Sequence, residues 1–203
     1  MRPLDTKDNL IRHYKKDASI YDFNRRFFLF GRSRLINQIG RTLNPSSILE
    51  IGCGTGVNLI KLSKLFPSSK ITGVDVSPEM LNVARTKISQ SANITLINDM
   101  FDQHTSLSTF DLILCSYTAS TVPNLSLFLS AIATHLTEQG HFACVDFHSS
   151  RSVVFERWIS HSIPIRTNFP EELLVKFFTK KQLKVSDAYG GIWKYFHYIG
   201  QKR

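Results

Sequence analysis

The stretch Ser47 to Asp75, S-I-L-E-I-G-C-G-T-G-V-N-L-I-K-L-S-K-L-F-P-S-S-K-I-T-G-V-D, constrains the fold more than any other. Ile48, Leu49 and Ile51 form an apolar run of strand length. Gly52, Gly54 and Gly56 follow at once, and Leu59, Ile60 and Leu62 then recur at helical spacing. The order is strand, glycine turn, helix. Such a turn lets a ligand approach the backbone, and the helix start offers unpaired N–H groups to a negative group. A second strand, Ile71 to Val74, leads into Asp75, 19 residues after Gly56. A carboxylate at that strand end can accept hydrogen bonds from both hydroxyls of a ribose, so the stretch describes a nucleoside site.

A dinucleotide fingerprint requires Gly or Ala at position 57, and Val57 stands there. Glu50-Ile-Gly52-Cys53-Gly54-Thr-Gly56 instead resembles motif I of the class I S-adenosylmethionine methyltransferases. The likeness continues through Val74-Asp75-Val76-Ser77-Pro78-Glu79-Met80. It implies a Rossmann-like α/β fold: a seven-stranded, mostly parallel sheet, a C-terminal antiparallel hairpin and an N-terminal helical lid. S-adenosylmethionine is the implied cofactor. The glycine turn, with Cys53, would lie under its methionine part, Glu50 would assist at its ammonium end, and Asp75 would hold the ribose. Val76 and Met80 belong to the same implied contact set.

The length of 203 residues, with 42% hydrophobic and 20% charged residues, fits one globular domain: a lid over 1–44 and a core over 45–203. Cys53, Cys115 and Cys144 are widely spaced without a C-x-x-C pair, which favours buried thiols over zinc and predicts a reducing cytoplasm. The first residues lack an apolar signal region, and no 18-residue apolar run exists.

The formal charge of +9 favours an anionic partner. Residues 1–41 hold ten Lys and Arg against four Asp, a net of 10 − 4 = +6. Among those cations Phe23, Phe27, Phe28, Leu29, Phe30, Leu35, Ile36 and Ile39 recur at roughly helical spacing, with Gly31 a break. A basic amphipathic segment of this kind fits two roles, insertion into a lipid interface or packing as a lid over the pocket.

Further along, Ser77 and Pro78 open a predicted helix through Lys87, and Ile94–Ile97 is a third strand ending at Asn98-Asp99-Met100. Asp111–Ser116 is a fourth strand. Leu125–Leu136 reads as a helix closed near Gly140, and His141–Phe147 as a fifth strand. A helix over Pro170–Thr179 and strands over Leu183–Tyr189 and Tyr195–Gly200 complete the pattern. By the methyltransferase likeness, Asp99 meets the adenine amino group, Met100 packs on the ring and Cys115 flanks the cofactor.

Methyl transfer needs alignment and water exclusion more than acid-base groups. The candidates for the acceptor side are Tyr14, Tyr117, Asp146 and His148. A Tyr can hold a neutral amine and its ring can attract a developing cation, while Asp146 or His148 can receive a proton. Cys115-Ser-Tyr117-Thr occupies the place where base methyltransferases often carry Asn/Asp-Pro-Pro-Tyr/Phe, which counts against nucleic acid as substrate.

Ile20-Tyr-Asp-Phe-Asn-Arg-Arg-Phe-Phe-Leu-Phe-Gly-Arg-Ser-Arg-Leu-Ile36 narrows the resemblance. It looks like the amino-terminal signature of the bacterial betaine-lipid methyltransferases, as do Val145-Asp-Phe-His148 and Tyr195-Phe-His-Tyr-Ile-Gly200. That family trimethylates the amine of diacylglyceryl-homoserine. The implied partners are a lipid in an anionic membrane and the enzyme that supplies it; the implied location is the inner membrane face. Asn24 departs from the Thr of that pattern. Competing readings are another phospholipid methyltransferase, a small-molecule or quinone methyltransferase, and an RNA-binding module.

Overall fold

The computed structural model describes residues 29–88, 91–152, 156–157, 166 and 168–203. Tyr14 and the aromatic residues Phe23, Phe27 and Phe28 lie outside the described residues. The elements in chain order are α1 (Arg32–Thr42), β1 (Ser47–Ile51), α2 (Val57–Leu65), β2 (Lys70–Asp75), α3 (Pro78–Ile88), β3 (Ile94–Asn98) and β4 (Phe110–Ser116). They continue with α4 (Leu125–Thr134), β5 (Leu136–Ser150), α5 (Leu174–Phe177), β6 (Phe178–Ala188) and β7 (Trp193–Lys202).

Seven strands form one sheet in the order β3-β2-β1-β4-β5-β7-β6. The first five are parallel, and β7 runs antiparallel between β5 and β6. Central strands such as β1 and β4 are apolar on both faces because helices cover both sides. Leu35, Ile36 and Ile39 of α1, Leu59 and Leu62 of α2 and Leu81 of α3 pack on one face. Phe128, Leu129 and Ile132 of α4 and Leu174 of α5 pack on the other. This is the Rossmann-like arrangement the sequence implies, with its C-terminal hairpin.

Local chemistry sets the helix starts. Ser77 Oγ accepts the Met80 N–H at 3.2 Å ahead of Pro78, and Asn124 Oδ1 accepts the Leu127 N–H at 3.0 Å. Two predicted boundaries are corrected. The helix α4 ends at Thr134, and Gly140 lies inside β5, where pairing with β4 jumps from Phe110–Leu136 to Leu112–His141. The predicted helix over Pro170–Thr179 shrinks to a 3-10 turn and four residues of α5, because Phe178 joins the sheet opposite Lys202.

The apolar face of α1 belongs to the core: Leu35, Ile36 and Ile39 are at most 2% exposed. Exposing each of them to water would cost roughly 1.5–3 kcal/mol, so packing against the sheet accounts for the apolar face of this helix. No helix among the described residues is long and apolar enough to cross a membrane.

Candidate active site

In an open parallel sheet the ligand crevice lies beyond the carboxyl ends of the strands. Here a cavity of about 550 Å³ opens there, within the usual range of small-molecule sites. The ends of β1, β2, β3 and β4 supply its walls. Gly52, Gly54, Asp75, Val76, Met80, Asp99, Met100 and Tyr117, all singled out in the sequence, border it together.

Asp75 is the last residue of β2, and its carboxylate is tied in place by backbone. Oδ2 accepts the Gly54 N–H at 2.7 Å and Oδ1 the Ser77 N–H at 2.9 Å. An ionised carboxylate offers about four acceptor positions, so capacity remains for a ribose hydroxyl beside the backbone N–H groups. Burial raises its pKa, against the pull of those N–H groups. Asn98 steadies the same strand end by donating to the Asp75 and Val76 carbonyls at 2.9 and 3.1 Å. Gly54, at φ +54°, faces open space: a Cβ built on it meets nothing within 4 Å. A side chain there would project into the region a ligand needs.

Glu50, Cys53, Gly56 and Cys115 sit behind the wall instead. Glu50 is 1% exposed; Asn58 Nδ2 donates to its Oε1 at 2.7 Å, and its Oε2 has no partner. Burial pushes its pKa up to about 8, with Asn58 and Arg32 pulling down and Asp75 pushing up. The Cys53 side chain lies beside Gly73 in the core, and burial pushes its thiol up. Gly56 faces Ala84 of α3. Cys115 is fully buried opposite Cys144 on β5. All three cysteines are buried and free.

Of the acceptor-side candidates within the described residues, only Tyr117 borders the cavity. Its phenol donates to the Phe30 carbonyl at 2.8 Å, which leaves the ring rather than the hydroxyl to offer a substrate. Burial raises its pKa well above the ordinary value. Asp146 is fully buried and accepts the Ser120 N–H at 3.0 Å and the Phe147 N–H at 2.8 Å. Burial lifts its pKa to about 6. It therefore braces the 117–121 loop from beneath. His148 Nε2 lies 2.7 Å from Glu171 Oε1, also outside the cavity wall.

Sequence reading missed the remaining walls. Phe101, Asp102, Gln103 and His104 follow β3, Ser116 ends β4, Thr118 and Thr121–Asn124 follow it, and Leu127 and Phe128 come from α4. The available signal was their place just after strand ends of a parallel sheet.

Residues 48–140 match a family described as a methyltransferase domain. The cavity and every residue that borders it lie within that stretch. S-adenosylmethionine is the cofactor the site fits, with a ribose-ready carboxylate at the end of β2 and an open glycine cradle beside it.

A malonyl-[acyl-carrier protein] O-methyltransferase of Ilyobacter polytropus is 39% identical over 112 residues, which cover 55% of this chain and 42% of that protein. A demethylmenaquinone methyltransferase of Staphylococcus aureus is 25% identical over 151 residues, covering 73% and 61%. The chain spans about half the length of the curated relatives it matches. The solved 1,6-didemethyltoxoflavin-N1-methyltransferase of Burkholderia thailandensis, with its substrate and S-adenosylhomocysteine bound, matches at a TM-score of 0.77 and 16% identity. That likeness covers 100% of this chain and 91% of the other, and it concerns the fold alone. The relatives are named for different methyl acceptors.

Proposed function

We propose that the protein is an N-methyltransferase that converts the amine of diacylglyceryl-homoserine to its trimethylated betaine form at an anionic membrane surface. One observation carries the reading. The described part of the amino-terminal signature, Leu29-Phe30-Gly31-Arg32, is tied to the cavity wall by the Tyr117 phenol, which donates to the Phe30 carbonyl. Arg32, two residues after Phe30, acts electrostatically on both Tyr117 and Glu50. The segment that resembles the signature of lipid enzymes is thereby tied to a residue of the cavity wall, which supports the reading.

Bound S-adenosylmethionine supplies a methyl group already activated on a positive sulfur. The chain's own residues need to hold the donor, exclude water and accommodate an amine that gains methyl groups. Phe101, Tyr117 and Phe128 border the cavity, and aromatic faces attract a developing quaternary ammonium by ~0.5–2 kcal/mol. Val122, Pro123 and the half-exposed Leu127 give it an apolar side suited to a lipid's glyceryl and acyl portions.

Methylation of a malonyl thioester is a second reading, favoured by 39% identity to the Ilyobacter polytropus enzyme over 112 residues. Mass spectrometry separates the two. The protein and S-adenosylmethionine are incubated with diacylglyceryl-homoserine in anionic vesicles and, in parallel, with malonyl-acyl carrier protein. Mass gains of one to three methyl groups on the lipid support the proposal; methyl ester formed on the carrier protein alone overturns it.

A further inference from the structure

His135 follows the last turn of α4 and is 7% exposed. Its Nδ1 lies 2.8 Å from the Ala131 carbonyl oxygen of that turn, and its Nε2 lies 3.0 Å from the Thr105 carbonyl oxygen. A carbonyl oxygen can only accept, so both ring nitrogens face acceptors. A neutral imidazole has one N–H and leaves one of these contacts as lone pair against lone pair; the imidazolium has two and satisfies both. The C-terminal turn of a helix also favours a cation. The contact with Thr105 reaches the cavity wall. Thr105 Oγ1 accepts the Asp102 N–H at 2.9 Å and donates to the Met100 carbonyl at 3.3 Å, and Asp102 Oδ1 accepts the His104 N–H at 2.7 Å. Residues 100–105 therefore form one tied turn, and Met100 to His104 all border the cavity. The His135 ring also packs on Phe101, with centroids 5.3 Å apart, and Phe101 packs on Phe128 of α4.

We propose that His135 is a positioning residue for the nucleoside side of the donor cavity: as an imidazolium it ties the turn after β3 to the end of α4, and loss of its proton loosens that wall. The proposal rests on the donor site described above and adds to it a residue outside the cavity lining. The helix α4 itself carries no charged residue. The titratable groups on the elements packed against the ring are Asp99, Asp102 and His104 in the stretch after β3, Asp111 beside Phe110 in β4, and Glu138 with Lys202 near the start of β5. Asp99 accepts the Met100 N–H, Asp102 the His104 N–H, and Asp111 the Ser46 and Ser47 N–H groups, while Glu138 pairs with Lys202 at 2.9 Å. The two carbonyls are thus the groups that hold the ring. Their hold is complete while the ring carries both protons and is lost as pH rises through its titration, so donor affinity falls in that direction.

Nuclear magnetic resonance of the ring nitrogens and calorimetric titration with 5′-methylthioadenosine, which carries the nucleoside without a titrating amine, test this from pH 5 to 9. The His135 signals are those missing from His135→Gln. Both ring nitrogens of the free parent are expected to carry protons at pH 6, and the amide signals of Phe101 to His104 should shift with the midpoint of the ring, with or without ligand. Parent affinity should fall by about tenfold as pH rises through that midpoint, the worth of one charged hydrogen bond. His135→Leu and His135→Gln do not titrate at this position, so the ratio of parent to variant affinity should change by that factor over the same window. Glu50 and Asp146 titrate in all three proteins and cancel in the ratio. A role in stability alone would lower the thermal midpoint of the variants and leave the ratio flat. A flat ratio, a ring that holds a single N–H down to pH 5, or wall amides that do not follow the ring overturns the role of His135. Failure of the parent to bind methylthioadenosine at any pH overturns the donor site itself, and the amide signals then still decide whether His135 ties the turn.

Discussion

The phenol of Tyr117 donates a 2.8 Å hydrogen bond to the carbonyl of Phe30, 87 residues away in sequence. The next carbonyl, Gly31 O, accepts from His197 Nε2 at 3.0 Å and caps α1 through the Leu35 N–H at 2.9 Å. Gly31 sits at φ +81°, and a Cβ there would collide with the His197 and Tyr195 rings. The entry to α1 is thus pinned to the end of β4 and to β7, beside the donor cavity. Tyr117 itself sits at φ +57°, an uncommon conformation for a bulky residue that the surrounding packing maintains.

Tyr117→Phe removes this tether and leaves a carbonyl without its donor. The expected cost is about 1 kcal/mol in urea unfolding at unchanged m-value. Donor affinity should stay within about twofold, because the hydroxyl faces Phe30. A large loss of donor binding in this variant would show that the phenol reaches the ligand.

Gly54→Val places a β-branched residue at φ +54° and directs its side chain into open space of the site. Backbone strain of ~1–3 kcal/mol should lower the thermal midpoint. The folded fraction should bind S-adenosylhomocysteine at least about 100-fold more weakly. Parent-like affinity would remove the glycine turn from the site.

Glu50 gives a pH prediction of definite sign. Its folded pKa of about 8 lies above its ordinary value of 4.5, so between those values the folded protein holds a proton that the unfolded chain releases. Stability contributed by this group is full below about pH 4.5 and is lost as pH rises toward 8. Glu50→Gln does not titrate. Its midpoint in the absence of ligand should gain on the parent between pH 5 and 9 by several degrees, at roughly 2–4 °C per kcal/mol. A constant difference across that range, measured by differential scanning calorimetry, would contradict the buried neutral carboxyl.

Exposed Arg34 and Arg41 lie on the outer side of α1, away from its buried Leu35, Ile36 and Ile39. If the acceptor is a membrane lipid, Arg34→Gln with Arg41→Gln should weaken anionic vesicle binding by up to ~1 kcal/mol per charge. High salt should have the same effect on the parent. Donor affinity should not change. Equal vesicle sedimentation by variant and parent would assign these arginines to solvation.

What was legible in the sequence was local. The β1-turn-α2 unit, the Ser77-Pro78 helix start and the place of Asp75 all rest on neighbours within a few residues, and each is found as read. Relationships that depend on strand order were not legible. Asn58 meets Ser116 only because β4 lies beside β1, and Leu127 reaches the cavity only because α4 follows β4 over its rim. Asp146 and His148 read as candidate proton acceptors because they end an apolar strand. Their side chains instead bind the Ser120 and Phe147 N–H groups and Glu171. Gly140 read as a helix stop, yet the pairing of β5 with β4 and β7 carries the chain through it as strand.

The most direct test of the donor site is calorimetric titration of S-adenosylhomocysteine into the parent and Asp75→Ala. Asp75 is held by the Gly54 and Ser77 N–H groups at the end of β2, with acceptor positions left for a ribose. The account predicts one saturable site in the parent and a loss of roughly 2–4 kcal/mol in a folded Asp75→Ala, the worth of two charge-assisted hydrogen bonds. Equal affinity in the two proteins, or no binding by the parent, would contradict it.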